Sequence, residues 1–418
     1  MTSTNDTSNQ ILSLADRCVK CGLCLPQCPT YNLTENENES PRGRIALIQG
    51  WLSGQLAPSE KLVTHLEQCL LCRRCERICP SIVPYGEIID RAKIVLNENN
   101  ALHFSWQKLI NRLGLKMLIN KRLSAVLVTL LRFMQKSGAL LLLQKLQVIK
   151  LLRFQRMLET LPELDKPFTP EPFYPTTTGK QGEVALFVGC LSCSFDAKTV
   201  AASIRLLNRL GYDVHVPAQQ VCCGALHLHE GNKKTASNYA STNVSTFSQL
   251  KNISAIISLV NGCTSQLKEY SQLVPVTFTP AVKDIVEFIA ELDWPENVEI
   301  TPLDKTVALQ IPCSLQNTLR AEDKLLSLLA RIPGINLPPD AIYNRCCGAA
   351  GAYFINFPLI SDKLKYKAID KLTKTAPELI ISSNLGCALQ LKAGLKHRHE
   401  NIDVIHPVLL LEQQLKSN

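Results

Sequence analysis

Two cysteine runs constrain this chain more than any other feature. Cys18, Cys21, Cys24 and Cys28 precede Pro29, and Cys69, Cys72, Cys75 and Cys79 precede Pro80, so the spacing C-x2-C-x2-C-x3-C-P occurs twice. That spacing ligates paired [4Fe-4S] clusters, with the fourth cysteine of each run reaching the other run's cluster. Cys18, Cys21, Cys24 and Cys79 are thereby assigned to one cube, and Cys69, Cys72, Cys75 and Cys28 to a second. Three closely spaced thiolates wrap one corner of a cube, and the distant fourth ties the two halves of the fold together. Soft thiolates suit iron, and the proline stops the chain from continuing as helix beneath the cluster. Structural zinc is the plainer alternative, but it uses separated cysteine pairs or cysteine with histidine, and neither run contains a histidine. Disulfides at such spacing would close strained loops.

A chain of 418 residues has room for two or three domains, and 46% hydrophobic content is ordinary for a soluble globular protein. Seventeen cysteines is a high count, and the polar start MTSTNDTSNQ has no secretory pattern. The thiols are therefore expected to be metal ligands in the reducing cytoplasm. The charge is localised: residues 99–158 hold eleven Lys and Arg and no Asp or Glu, and a net +9 less those eleven leaves −2 for the rest.

In chain order, residues 1–10 read as disordered, and a short helix over Ile11 to Asp16 leads into the first run. Ser40-Pro41-Arg42-Gly43-Arg44, followed by Ile45, Leu47, Ile48, Trp51 and Leu52, reads as a helix opening after a proline turn. Further helices over Ser59–Gln68 and Glu87–Leu96 deliver Cys69 and leave Cys79, giving an α-helical ferredoxin domain over 1–98. A basic helical connector, 99–160, follows. Its uncharged run Leu123–Leu131 is nine residues long, below the ~20 needed to cross a bilayer. Its cations either solvate a helical face or meet an anionic membrane surface or an acidic partner. Nucleic acid is not expected, because Phe104, Trp106, Phe133 and Phe154 are too scattered for a stacking platform. Pro162, Pro167, Pro170, Pro172 and Pro175 mark an extended linker, 161–182.

Beyond Gly182 short apolar runs such as Val184–Val188 and Ala255–Val260 alternate with helical stretches such as Ala197–Leu210, the rhythm of α/β units. This part repeats itself, over 183–295 and 305–418. Val184 to Cys190 answers to Val307 to Cys313, Cys222-Cys223-Gly224 to Cys346-Cys347-Gly348, and Asn261-Gly262-Cys263 to Leu385-Gly386-Cys387. Loops at the carboxyl ends of parallel strands converge, so each repeat should bring four thiols to one place. Metal or cluster ligation is the preferred reading and a reactive dithiol the alternative. His227 and His229 read as solvated rings at a helix entry, and His397 and His399 as surface. The fold class is thus multidomain α plus α/β: helical ferredoxin domain, helical connector, and a duplicated α/β Cys-Cys-Gly domain.

Cys18 to Cys28, Pro29-Thr30-Tyr31, Ser40-Pro41-Arg42-Gly43-Arg44-Ile45, Cys69 to Cys79 and the two Cys-Cys-Gly repeats together resemble the iron-sulfur subunits of bacterial glycolate oxidase. The repeats alone also resemble those of anaerobic glycerol-3-phosphate dehydrogenase iron-sulfur subunits, lactate-utilisation proteins and heterodisulfide reductase. The resemblance implies a subunit that takes electrons from FAD-binding glycolate oxidase subunits oxidising a 2-hydroxy acid. It passes them through two [4Fe-4S] clusters toward quinone or another acceptor, from the cytoplasm or the cytoplasmic face of the inner membrane. Further iron-sulfur clusters at the repeats are left open, and FAD is expected on the partners only, since the chain has no G-x-G-x-x-G or Walker pattern. The broad pattern ends each repeat in Cys-x2-Cys, but Gln266 and Gln390 stand at the second place. Cys193 offers a fifth thiolate in the first repeat, where the second repeat has Gln316. The candidate ligands in the repeats are therefore Cys190, Cys193, Cys222, Cys223 and Cys263, and Cys313, Cys346, Cys347 and Cys387. The competing readings are a glycerol-3-phosphate-type subunit, a thiol-disulfide reductase working through the Cys-Cys pairs, and a zinc-stabilised scaffold.

Overall fold

The computed structural model describes residues 2–99, 114, 117, 119–139, 161, 163–176, 178–278 and 280–416. Most of the basic connector, 100–113 and 140–160, and Pro162 of the linker lie outside the described residues.

The first region is helical, with one correction at its start. The residues expected to be disordered belong to a helix, Thr2–Ala15. Its last turns bury Ile11 and Ala15 against the Tyr85–Glu98 helix, and Arg91 of that helix donates to Gln10. Once those turns are docked, each added residue gains a backbone hydrogen bond, so the helix extends back into polar sequence. The Pro41–Leu52 helix begins with Pro41 at its first position, and the Ser40 hydroxyl accepts from the Gly43 amide. Gly43 has no room for a side chain, since a Cβ there would lie 1.9 Å from the Glu37 carbonyl oxygen. Ser59 caps the Glu60–Glu67 helix in the same way. These helices bury Ile45, Ile48, Leu66, Ile88 and Ile89 in one core, and Cys18, Cys24, Cys69 and Cys79 pack on its edge.

In the connector, the Lys121–Lys136 helix buries Ser124 and Val128 and leaves Leu123, Val126, Leu130 and Phe133 exposed. No helix among the described residues is long and apolar enough to cross a membrane.

The linker prolines do not keep their segment free of the sheet. Phe173–Tyr174 (β1) pairs antiparallel at the edge, on Tyr212–His215 (β3), a place where proline neighbours cost no interior ladder bond. The first sheet continues through Gly182–Phe187 (β2), Ala255–Ser258 (β4) and Ala281–Asp284 (β5), in the order β1-β3-β2-β4-β5, all parallel beyond β1. The second sheet, from Val307–Gln310 (β6), Ile342–Tyr343 (β7), Leu379–Ser382 (β8) and Asp403–Ile405 (β9), runs β7-β6-β8-β9 and is wholly parallel. In each sheet the chain reverses its direction of winding between the first and third strands of the repeat, β2 and β4 or β6 and β8. That switch point opens the crevice where such sheets bind ligands.

The two repeats share one core, in which Val184, Leu186 and Ile257 meet Val307, Leu309 and Ile381 through intervening helices. The Pro407–Gln414 helix of the second repeat packs on the Ala197–Arg209 helix of the first. At the ends of β5 and β9, Asp284 and His406, both buried, each cap the next helix. Asp284 accepts from the Asn261 amide and the Thr264 hydroxyl, and Asn261 accepts from Ser383 of the other repeat. Burial raises the Asp284 carboxyl to about 6 and lowers the His406 ring to about 4.

A short helix, Arg74–Arg77, with Arg73 just before it, contributes contacts from the ferredoxin region to both repeats. Arg73, at its start, joins Glu76 at 2.6 Å and Glu269 of the first repeat. Arg74 donates to the Asn344 carbonyl at 2.7 Å, and Arg77 to the Gln316 carbonyl at 2.6 Å while pairing with Glu322. On the first-repeat side His229 meets Asp90 at 3.0 Å. Gly231, at φ +80°, sits so close to the Lys93 carbonyl that a Cβ would approach it to 2.4 Å.

Candidate metal centres

Cys69, Cys72, Cys75 and Cys28 feel one another's charge, and burial pushes the Cys72 and Cys75 thiols up. Cys24 is also raised by burial, with Cys18 and Cys28 as its charged neighbours. Cys18, Cys24 and Cys79 pack on the same core edge, and Cys21 is exposed. The Leu71 amide points at Cys69 Sγ at 3.4 Å and the Tyr85 hydroxyl at 3.7 Å. A buried cation stands behind these thiols: Arg44, in charge contact with Cys69 and Cys28, pairs with Glu39 and donates to the His65 and Glu39 carbonyls at 2.6 Å. The Glu39 carboxylate also takes His65 at 2.5 Å.

In the first repeat Cys190 follows β2, Cys263 lies in the first turn of the Asn261–Lys268 helix after β4, and Cys222-Cys223 turns on Gly224 at φ +87°. The four thiols stand close enough to perturb one another in series, Cys190 with Cys222, Cys222 with Cys223 and Cys223 with Cys263. Cys222 is held well below the usual thiol range, chiefly because Cys190 and then Cys223 donate to it, with help from the Gly224 amide at 3.4 Å and from nearby His227. His227 is buried against Tyr239, not solvated as expected, because its helix starts directly at the thiol turn. His229 is the more open of the two and pairs with Asp90. Cys193 packs against the shared core that covers the Val184/Leu186 face of β2, whereas Cys190 lies with Ala185 and Phe187 on the other face.

The second repeat's four thiols are likewise in mutual charge contact. Cys313 accepts from Cys346 and is lowered by it, and Cys347 lies 2.8 Å from Cys387. After Cys313 the chain makes a π-helical turn, Ser314–Leu319, a form that concentrates at functional sites. Asn317 of that turn donates to the Cys72 carbonyl at 2.7 Å, and Cys72 carries charge contact with Cys313 and Cys346. A cavity of about 250 Å³ opens here, lined by Cys72, Cys313, Cys346, Arg74, Arg345 and Lys367. The second Cys-Cys-Gly site thus abuts the second ferredoxin run.

The donor set suits iron-sulfur clusters better than single ions. A cubane takes one thiolate per iron, so its ligands stand around it rather than converge on a point. Amides aimed at sulfur recur at Cys69, Cys222 and Cys346, at 3.4 Å in each case, as donors to cluster ligands do. Gln266 leaves a buried amide nitrogen without a partner one helical turn past Cys263, a donor available to a bound sulfide. Gln390, its counterpart, is spent on Ser361 at 2.8 Å.

Sequence reasoning missed Arg44, Arg73, Arg74 and Arg77 as working residues. Arg44 had a signal, the Pro41-Arg42-Gly43-Arg44 stretch, but a lone basic residue on a helix reads as solvated.

A two-run ferredoxin joined to paired thiol-lined α/β crevices is an electron-transfer iron-sulfur protein. Residues 14–83 match the 4Fe-4S dicluster domain, and 184–268 and 307–392 each match the cysteine-rich domain. The chain is 32% identical over 398 residues to the probable glycolate oxidase iron-sulfur subunit of Bacillus subtilis, covering 91% of this chain and 88% of that protein. It is 27% identical over 417 residues to the glycolate oxidase iron-sulfur subunit of Escherichia coli, covering 97% and 95%. Lactate utilization protein A of Bacillus licheniformis is 25% identical over 233 residues, 54% of this chain and 96% of that protein. The chain belongs to the family of glycolate oxidase iron-sulfur subunits.

Proposed function

We propose that this chain receives electrons from FAD-bearing partner subunits that oxidise glycolate or a similar 2-hydroxy acid, and relays them toward quinone or another acceptor. The observation that carries the reading is the meeting of Cys72 with Cys313 and Cys346, which joins the ferredoxin runs to the repeats at one point. Cys18, Cys21, Cys24 and Cys79 would hold one [4Fe-4S] cluster, and Cys69, Cys72, Cys75 and Cys28 the other. Cys190, Cys222, Cys223 and Cys263, and Cys313, Cys346, Cys347 and Cys387, would hold further iron-sulfur groups. Bound there, these groups exchange single electrons; the chain's part is to exclude water and aim amides at their sulfurs. The divisions 1–98, 99–160, 161–182, 183–295 and 305–418 serve as its working units. Membrane contact, where it occurs, is supported by the exposed Leu123, Val126, Leu130 and Phe133 stripe in an acid-free stretch.

The full chain purified without oxygen should contain iron and acid-labile sulfide, show two interacting [4Fe-4S] EPR signals on reduction, and retain FAD-bearing subunits when co-expressed with them. Stoichiometric zinc without an EPR signal sinks the proposal. The dithiol reading draws support from the lowered Cys222; it requires a metal-free repeat region that reduces disulfides with thiol stoichiometry.

A further inference from the structure

The ferredoxin region carries five of the large exposed hydrophobic side chains, and four stand beside one set of thiols. Val19 follows Cys18, Leu23 precedes Cys24, Ile78 precedes Cys79, and Ile82 lies three residues past it; they are 70%, 53%, 46% and 79% exposed. The other set has the opposite surroundings, with Leu70 buried, Cys28 and Cys75 buried, and Cys72 under the second repeat. On the proposed ligation Cys18, Cys24 and Cys79 bring these four side chains around one cluster, and exposed apolar side chains grouped in this way mark a contact site.

Ile82 adds an independent sign. Its φ is +48°, a left-handed conformation that a β-branched side chain adopts only at a cost. The Ile82 amide donates to the Cys79 carbonyl at 3.2 Å, so the turn holds this exposed side chain beside that cysteine. Arg17 and Lys20 flank Val19, both exposed and neither in an ion pair among the described residues. The nearest acid in sequence, Asp16, is engaged by Gln49 at 2.7 Å.

We infer that Val19, Leu23, Ile78 and Ile82, rimmed by Arg17 and Lys20, form the docking surface for the electron-donating FAD-bearing subunit. The inference rests on the proposed function. The partner face it fits is apolar at its centre and carboxylate-bearing at its rim, the complement of this patch. Position supports a donor rather than an acceptor: Cys21 is exposed here, while Cys72, at the other end of the ferredoxin thiols, stands against the second repeat. A bilayer is the less fitting occupant, since the patch is made of cluster loops and the apolar helical stripe at Leu123–Phe133 lies elsewhere in the chain.

The test uses the full chain co-expressed with its FAD-bearing subunits. Val19→Asp combined with Ile82→Asp should weaken retention of those subunits by at least about tenfold, as loss of a central apolar contact does. Iron, labile sulfide and dithionite-reduced EPR signals should stay at wild-type levels. Leu359→Asp, at an equally exposed site on the second repeat, should change nothing, and Arg17→Glu with Lys20→Glu should slow association most at low salt. Where the Val19/Ile82 variant loses its clusters, Leu23→Asp alone decides the same question with cluster content as control. Unchanged retention with intact clusters overturns the docking surface alone, as does loss of binding to anionic vesicles with subunit retention intact. A wild-type chain that holds iron but retains no FAD-bearing subunit overturns the proposed function as well.

Discussion

Both repeats gather four thiols in mutual charge contact, Cys190, Cys222, Cys223 and Cys263 in the first and Cys313, Cys346, Cys347 and Cys387 in the second, but only the second stands beside Cys72. Strand order, thiol turns and helix caps correspond between the two, so the duplication preserved the crevice. Its surroundings diverged. The first repeat meets the ferredoxin region through side chains and a glycine, at Arg73–Glu269, His229–Asp90 and Gly231. The second offers a π-turn whose Asn317 grips the cysteine backbone itself. A crevice can be copied by copying a strand-loop pattern, but a junction depends on what a third surface presents to each copy.

The sharpest way to break this comparison is to remove the junction thiols. On the proposed ligation and partners, Cys313→Ala with Cys346→Ala should reduce partner-driven reduction of iron in the first repeat to background while the ferredoxin EPR signals persist. Cys222→Ala with Cys223→Ala should leave the second repeat reducible. Equal behaviour in freeze-quench EPR would show that the ferredoxin region reaches both repeats independently.

Next in size is the docking helix. Arg74→Ala with Arg77→Ala removes carbonyl contacts and the Glu322 partner on the second-repeat side, and should lower unfolding stability by about 2–4 kcal/mol. Glu269→Ala, on the first-repeat side, leaves Arg73 still paired with Glu76 and partly solvated, so about 1 kcal/mol or less is expected. Calorimetry or denaturant melts of the anaerobic protein measure both.

The matched caps Asp284 and His406 should respond to pH with opposite signs. Asp284 is raised in the fold, so its contribution is full below the unfolded value near 3.8 and is lost as pH rises through about 6. His406 is lowered, so its contribution is full above about 6.5 and is lost as pH falls through about 4. Each swing is on the order of 3 kcal/mol at most. Asp284→Asn should flatten the loss between pH 4 and about 6 while leaving the acid-side loss in place; an unchanged profile would remove Asp284 as its source.

The smallest expected difference separates two glycines. A Cβ at Gly348 would lie 2.6 Å from the Ser361 carbonyl oxygen, and one at Gly224 3.2 Å from that of Ala236, both at positive φ. Gly348→Ala should therefore be worse than Gly224→Ala by about 1 kcal/mol. Thermal melts of the pair rank them.

Wherever a local rule suffices, the sequence is readable. The cysteine spacings, the Ser40-Pro41 and Ser59 caps, the apolar runs behind β2 and β4 and the matched repeat spacings each depend on residues a few places apart. What escaped depends on distant surfaces. The Thr2–Ala15 helix is long because Ile11 and Ala15 find a neighbour, and His227 is buried because its short helix begins at the thiol turn. Phe173–Tyr174 joins a sheet whose edge no proline count reveals. The role of the Arg74–Arg77 helix is set by the carbonyls of Asn344 and Gln316, more than two hundred residues away, which no local pattern shows.

The enclosure of Cys72 bears on how the molecule is made. On the proposed ligation, Cys72, whose carbonyl is held by Asn317, is reached after the repeats dock only through a cavity of about 250 Å³, too small to admit a delivery protein. Cofactor loading and closure are then ordered events in biogenesis: the amino-terminal region, first off the ribosome, takes its iron before the carboxyl-terminal half seals it. Cells starved of cluster-assembly capacity should accordingly accumulate an open, protease-sensitive chain cleaved between the two halves, one that iron supplied late does not rescue.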